Sequence, residues 1–113
     1  MMERIQPGTR MSKAVIHNGT VYIAGQVSGD AADVAGQTQQ VLAKVDEILA
    51  AAKTDKSKVL FANVWLADIA SFDEMNAVWD AWILPGSPPA RATVEAHLAS
   101  PSYRVEIAVI AAR

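Results

Sequence analysis

Hydrophobic and polar positions alternate along the chain in a way that predicts seven elements. Residues 14–16 and 21–24 form two short apolar runs around Asn18-Gly19, a dipeptide that favours a tight two-residue hairpin turn. This predicts strand, turn, strand. Further on, Val34, Thr38, Val41, Val45, Ile48 and Ala52 recur at helical spacing with Leu42 and Leu49 beside them. That stripe predicts an amphipathic helix of about five turns, capped by Asp30 or Asp33. "TDKSK" then reads as a polar connector, and "VLFANVWLADI" as a strand with Val59, Phe61 and Trp65 on one face and Leu60, Ala62, Val64 and Leu66 on the other. Ser71 followed three residues later by Glu74 has the pattern of a capping box. Phe72, Met75, Val78, Trp79 and Trp82 make the apolar stripe of the second helix, which Pro85, Gly86, Pro88 and Pro89 terminate in a rigid loop. Two strands, 91–98 and 103–112, close the chain on either side of "ASPS". The order is β-β-α-β-α-β-β, an α+β pattern: a mixed sheet with two helices on one face.

Two helices cover one face of such a sheet, yet two strands are apolar on both faces. The last has Val105, Ile107 and Val109 on one side and Ala108, Ile110 and Ala112 on the other. The uncovered face must meet something apolar, and the simplest partner is another copy of the chain.

Composition narrows the function classes. The 113 residues fit one domain spanning 1–113, and about half of them are apolar. The formal net charge is -2, with the charges scattered, and the sequence pI is about 5.6. A nucleic-acid footprint or a polybasic membrane anchor needs a basic patch, and none is present. No apolar run is long enough for a membrane helix and the N-terminus lacks a signal-peptide core, so a soluble cytoplasmic domain is expected. The absence of cysteine removes disulfides, thiol nucleophiles and thiolate metal sites. The two histidines, His17 and His97, are too few and too unaccompanied to suggest a metal site.

Two charged residues stand out on the predicted strands. In "PPARATVEAHL", Ala92, Val94, Ala96 and Leu98 occupy one face, and Arg91, Thr93, Glu95 and His97 the other. In "YRVEIAVIAAR", Glu106 shares a face with Ala108 and Ile110. With Val94 and Val105 placed against the helices, Arg91 and Glu106 both point to the uncovered face. Buried charges are costly unless paired or bound to a ligand. Two readings stay open at this level: a structural Arg–Glu ion pair across an interface between copies, or a site where Arg91 holds an anion and Glu106 handles a proton or a water. A guanidinium offers a planar fork of donors that matches a carboxylate. The remaining candidates have plainer explanations. Asn76 reads as a cap or packing contact, the three tryptophans as core, and Gly25 as a bulge or a close backbone approach. Thr93 and Ser28 have no neighbouring general base, and phosphate-loop and paired-histidine motifs are missing.

Taken in order, "GTVYIAGQV", "QTQQVLAKVDEIL", "VWLADIASFDEMNAVWDAW", "PPARATVEAHL" and "YRVEIAVIAA" resemble the RidA/YjgF family of reactive-intermediate deaminases over nearly the whole chain. The most specific part is "PAR" with a glutamate fifteen residues after its arginine, in a "VEI" strand. The resemblance implies a chorismate-mutase-like fold and a homotrimer with ligand sites between subunits. It implies hydrolysis of 2-imino acids such as 2-iminopropanoate to 2-oxo acids and ammonia, with no metal or organic cofactor. On this resemblance Arg91 is the carboxylate-binding arginine, and Glu106 the water-orienting glutamate. Gly25 supplies the backbone contact, Asn76 is the pocket asparagine, and Thr93 stands where a cysteine is common. A pocket tyrosine of the archetypes is replaced by Met11, in "TRM".

Rivals come from other classes: a non-catalytic sensor or carrier that binds small carboxylates through Arg91, and a ribonuclease. The acidic pI counts against the second.

Overall fold

The computed structural model describes residues 2–113. Strands β1 (Glu3–Ile5), β2 (Ala14–His17), β3 (Thr20–Gln26), β4 (Val59–Leu66), β5 (Ala90–Glu95) and β6 (Val105–Ala112) form one six-stranded sheet in the order β1-β2-β3-β6-β4-β5. Helices α1 (Val34–Ala51) and α2 (Phe72–Trp82) pack on one face of it. All neighbours are antiparallel except β4 and β5, which α2 connects as a parallel crossover. The sheet is therefore mixed, as the pattern predicts. β6 inserts between β3 and β4, so the last strand of the chain lies at the centre of the sheet.

Local chemistry explains most boundaries. Asn18 (φ 51) and Gly19 (φ 76) both adopt positive φ, the conformation that a hairpin turn of this type demands. Of the two candidate caps for α1 it is Asp33, whose Oδ1 accepts from the Gly36 backbone N–H at 2.9 Å. The predicted stripe of α1, from Val34 to Ala52, is buried, together with Gln37, which the apolar pattern does not mark. Gln37 is fully engaged: its Nε2 donates to the carbonyls of Ala31 (2.9 Å) and Ser102 (2.8 Å), and its Oε1 accepts from the Arg104 N–H (2.7 Å). A buried amide with all these partners stabilises rather than costs, and it pins the chain two residues before Glu106.

Several expectations are corrected. An additional edge strand, β1, precedes the predicted first one, so the chain runs β-β-β-α-β-α-β-β. β5 ends at Glu95 rather than Leu98, because its partner β4 ends at Leu66, whose carbonyl accepts the last bond from the Ala96 N–H. The last strand begins at Val105 rather than at residue 103, since the Arg104 N–H goes to Gln37 instead of a neighbouring strand. "TDKSK" contains a single 3-10 turn, Lys56–Lys58, capped by Asp55. An extra residue in β4 opposite β6 turns Val59 into the core and leaves Leu60 exposed, reversing their predicted faces. The Ser71/Glu74 capping box does not form. Ser71 makes no side-chain cap bond, and the Glu74 carboxylate accepts from the Ala35 N–H at the start of α1, where the helix dipole favours a negative charge.

The sheet has one covered and one open face. Val105, Ile107, Val109 and Ala111 lie beneath the helices with Ala62, Val64 and Leu66. Phe61, Trp65, Glu106, Ala108 and Ile110 share the open face, with Tyr22 48% exposed beside Ile110. No helix among the described residues is long and apolar enough to cross a membrane.

Candidate functional site

The largest difference from the sequence reading concerns Arg91. In the parallel pairing of β4 and β5, Ala62 stands beside Arg91, Val64 beside Thr93 and Trp65 beside Val94. Paired residues share a face, and Ala62 and Val64 are core. Arg91, Thr93 and Glu95 therefore lie on the helix side, while Val94 is 51% exposed on the open side. The alternation along β5 holds, but the face assigned to it is reversed. Arg91 and Glu106 occupy opposite faces of the sheet, so a direct ion pair within one chain is excluded.

The arginine half of the site sits between β5 and α2. The Arg91 guanidinium carbon lies 5.0 Å from the centre of the Trp79 ring and 5.8 Å from that of Phe72. Burial against these groups lowers its pKa from the ordinary arginine value, and the Asp80 carboxylate partly offsets this. Among the described residues its side chain makes no ion pair or hydrogen bond, so the donor fork is free. Phe72, Asn76 and Trp79 fall at positions i, i+4 and i+7 of α2 and share one face. Asn76 Oδ1 and, on β5, Thr93 Oγ1 are buried with no partner. Unpaired buried polar atoms are rare, and two of them on the elements that frame an uncommitted guanidinium make this edge the candidate ligand surface. Glu95, on the same face, is no partner for the arginine: its Oε1 accepts from the Ile69 N–H (3.0 Å), tying β5 to the turn before α2.

The glutamate half lies on the open face. Between Ile23 and Gln26, β3 carries one more residue than β6 opposite, a bulge at Ala24-Gly25. Both readings of Gly25 hold, for the bulge brings its backbone against Glu106. A Cβ built on Gly25 would stand 2.0 Å from Glu106 Oε2 and 2.9 Å from its Cδ. The Lys13 carbonyl accepts from the Ala24 N–H (2.9 Å), which brings the loop containing Met11 to the bulge. Met11 itself is 56% exposed. The six candidates thus divide: Arg91, Thr93 and Asn76 lie between the β5 edge and α2, Glu106 and Gly25 meet at the β3 bulge towards the open face, and Met11 lies in the exposed loop before β2. Among the described residues, no cluster of His, Cys, Asp or Glu could hold a metal ion.

The sequence pattern did not mark the contact of Phe72 and Trp79 with Arg91, because both satisfy the core stripe of α2. Their spacing of seven, facing the start of an arginine-bearing edge strand, was the available signal.

The fold that carries these residues is shared with known proteins. The family model described as Endoribonuclease L-PSP matches residues 1–113. A RutC family protein of Haemophilus ducreyi is 48% identical, covering 99% of this chain and 97% of its own. The crystal structure of a YjgF-family member from Neisseria meningitidis superposes with a TM-score of 0.98 at 42% identity, covering 100% of this chain and 95% of that one. A Bos taurus protein named 2-iminobutanoate/2-iminopropanoate deaminase is 38% identical, covering 88% of this chain and 77% of its own. The chain belongs to the RidA/YjgF family.

Proposed function

We propose that this protein hydrolyses small 2-imino acids to 2-oxo acids and ammonia, in sites completed by a second copy of the chain. The observation that carries the proposal is the division of the candidates between opposite faces of one sheet. Among the described residues Arg91 makes no ion pair, although Asp80 acts on it electrostatically, and Glu106, lying on a glycine bulge, makes none either. Each half supplies what the other lacks. The exposed apolar face carrying Glu106 is the surface that a second copy would cover, and a closed homotrimer lets every chain contribute both halves. The curated relative named as a deaminase supports the reaction class.

The chemistry follows from the two halves. Arg91 holds the substrate carboxylate in two charge-assisted hydrogen bonds. Asn76 Oδ1 and Thr93 Oγ1 face the bound molecule with open hydrogen-bonding capacity. A protonated imine is already electrophilic, so the main contribution is placing a water against its carbon. Glu106 accepts the proton of that water as the C–O bond forms. It then returns the proton to nitrogen, and as the C–N bond of the carbinolamine breaks and ammonia leaves, the hydroxyl gives its proton to Glu106 and becomes the carbonyl of the 2-oxo acid.

The decisive experiment mixes two inactive variants. Arg91→Ala and Glu106→Gln chains are each expected to be inactive alone, with a trimeric mass by light scattering. Co-expressed in equal amounts, they recover about one quarter of parental ammonia release from freshly generated 2-iminopropanoate, because in random assembly one site in four pairs two intact halves. No recovery in mixed oligomers would place the site within one chain. A stable monomer at micromolar concentration would remove the shared site altogether.

Met11 tunes this site. A methionine where a tyrosine hydroxyl would reach the ligand removes one neutral hydrogen bond, and about 0.5–1.5 kcal/mol corresponds to about a two- to twelve-fold slower turnover. Met11→Tyr is expected to raise turnover of the smallest imino acid by that factor. The parent, with its flexible apolar wall, is expected to favour larger aliphatic side chains. If neither parent nor Met11→Tyr releases ammonia from any 2-imino acid, the protein is a carboxylate-binding member of the fold that relies on Arg91 alone.

A further inference from the structure

We propose that Trp79 and Phe72 are positioning residues for Arg91: their rings hold the guanidinium in its ligand-binding orientation without occupying any of its hydrogen-bond donors. The inference rests on the reading of Arg91 as the carboxylate-binding group. Structural arginines are ordinarily fixed by a carboxylate, which neutralises them and takes up the fork. Arg91 has no such partner among the described residues. Its guanidinium lies over two aromatic rings, at 5.0 and 5.8 Å. A ring attracts a cation through its π face and leaves the N–H groups pointing outward for a ligand.

The aromatic support is itself anchored. Trp79 is 4% exposed, and its ring centre lies 5.4 Å from that of Trp82 at an interplanar angle of 47°. The Trp82 indole N–H donates to Asp46 Oδ2 on α1 at 3.1 Å. Arg91 thus stands at the end of a row that runs through two tryptophans to the long helix. Phe72 completes the cradle from the first turn of α2 and is 39% exposed. An arginine at the start of an edge strand, preceded by a proline loop, would otherwise sample many rotamers and lose that freedom on binding. The rings restrict it before the ligand arrives, so the effect belongs in ligand affinity.

The test measures the Kd of 2-oxobutanoate by calorimetry, with thermal melts alongside. Phe72→Leu keeps apolar volume and removes one ring; Trp79→Leu removes the nearer one. The expected weakening is about three-fold for Phe72→Leu and up to about thirty-fold for Trp79→Leu, the range spanned by exposed and desolvated cation–π contacts. Trp79→Phe retains a ring and is expected to bind several-fold better than Trp79→Leu, although both leave a cavity and melt earlier. Affinity would thus follow the ring while melting temperature follows the volume, a split that core packing alone does not produce. Parental Kd in both Phe72→Leu and Trp79→Leu overturns the proposal. If Trp79→Leu does not fold, Phe72→Leu decides alone, and a parental Kd there overturns it equally. Arg91→Ala separates the two levels. If that variant, or the parent itself, gives no Arg91-dependent binding, the carboxylate reading falls and takes this inference with it. If binding requires Arg91 but ignores both rings, only the positioning role fails.

Discussion

Arg91→Ala is expected to eliminate binding of small 2-oxo and 2-imino acids while the protein still folds. Two charge-assisted hydrogen bonds are lost, each worth roughly 1.5–3 kcal/mol, and together these weaken the carboxylate complex about a hundred- to ten-thousand-fold. Folding is spared because the guanidinium makes no hydrogen bond or ion pair to the described residues; its ring contacts with Trp79 and Phe72 are the main loss to the fold. Arg91→Lys is expected to recover little of the affinity, since a single ammonium cannot match the planar fork. Calorimetric titration with 2-oxobutanoate, beside a melting curve, checks both halves of the statement. A variant that binds as the parent does would reduce Arg91 to a packing residue of the β5 edge.

The second large effect is expected at Gly25, a residue with no side chain to contribute. Its β-carbon in Gly25→Ala would fall 2.0 Å from Glu106 Oε2 and 3.1 Å from Cγ. The backbone at Gly25 does not lie in the positive-φ region, so alanine is tolerated there and the carboxylate is the group that gives way. Ordinary contact requires it to retreat by about 1 Å or more, a displacement that costs on the order of a hundred-fold when a reacting water must be aimed. Gly25→Ala is therefore expected to lower kcat about a hundred-fold with KM and melting temperature near parental. Glu106→Gln, which keeps the shape and removes the base, is expected to lower kcat about a hundred- to ten-thousand-fold. Steady-state ammonia release separates kcat from KM for both. Parental kcat in Gly25→Ala would show that the position of Glu106 is immaterial and would end its assignment as the group that orients the water.

Much of the architecture is legible in local pattern because short-range physics decides it. The Asn18-Gly19 turn needs two positive-φ residues and has them. The α1 stripe from Val34 to Ala52 has only one surface on which it can be buried. The two-faced character of β6 is visible as an unbroken apolar run from Ile107 to Ala112. The Ser71/Glu74 pair misled for a different reason: a capping box and a long-range acceptor look the same in sequence. Only the approach of α1 showed that Glu74 serves the Ala35 N–H instead.

The candidate site was legible as a set of residues but not as an arrangement. Alternation along 90–95 put Arg91, Thr93 and Glu95 on one face and Ala92 and Val94 on the other, and that division holds. Which face met the helices was not decidable from hydrophobicity, because this sheet is apolar on both sides and β5 is an edge strand with an exposed valine. The parallel register with β4, setting Ala62 beside Arg91, decided it. A three-residue polar strand such as β1 exists only by virtue of its pairing with β2, and the shift of Leu60 to the surface depends on one extra residue opposite β6. Periodicity specifies how side chains divide within an element. Absolute faces, bulges and the separation of Arg91 from Glu106 depend on contacts between residues far apart in the chain, and those contacts exist only once the sheet has assembled.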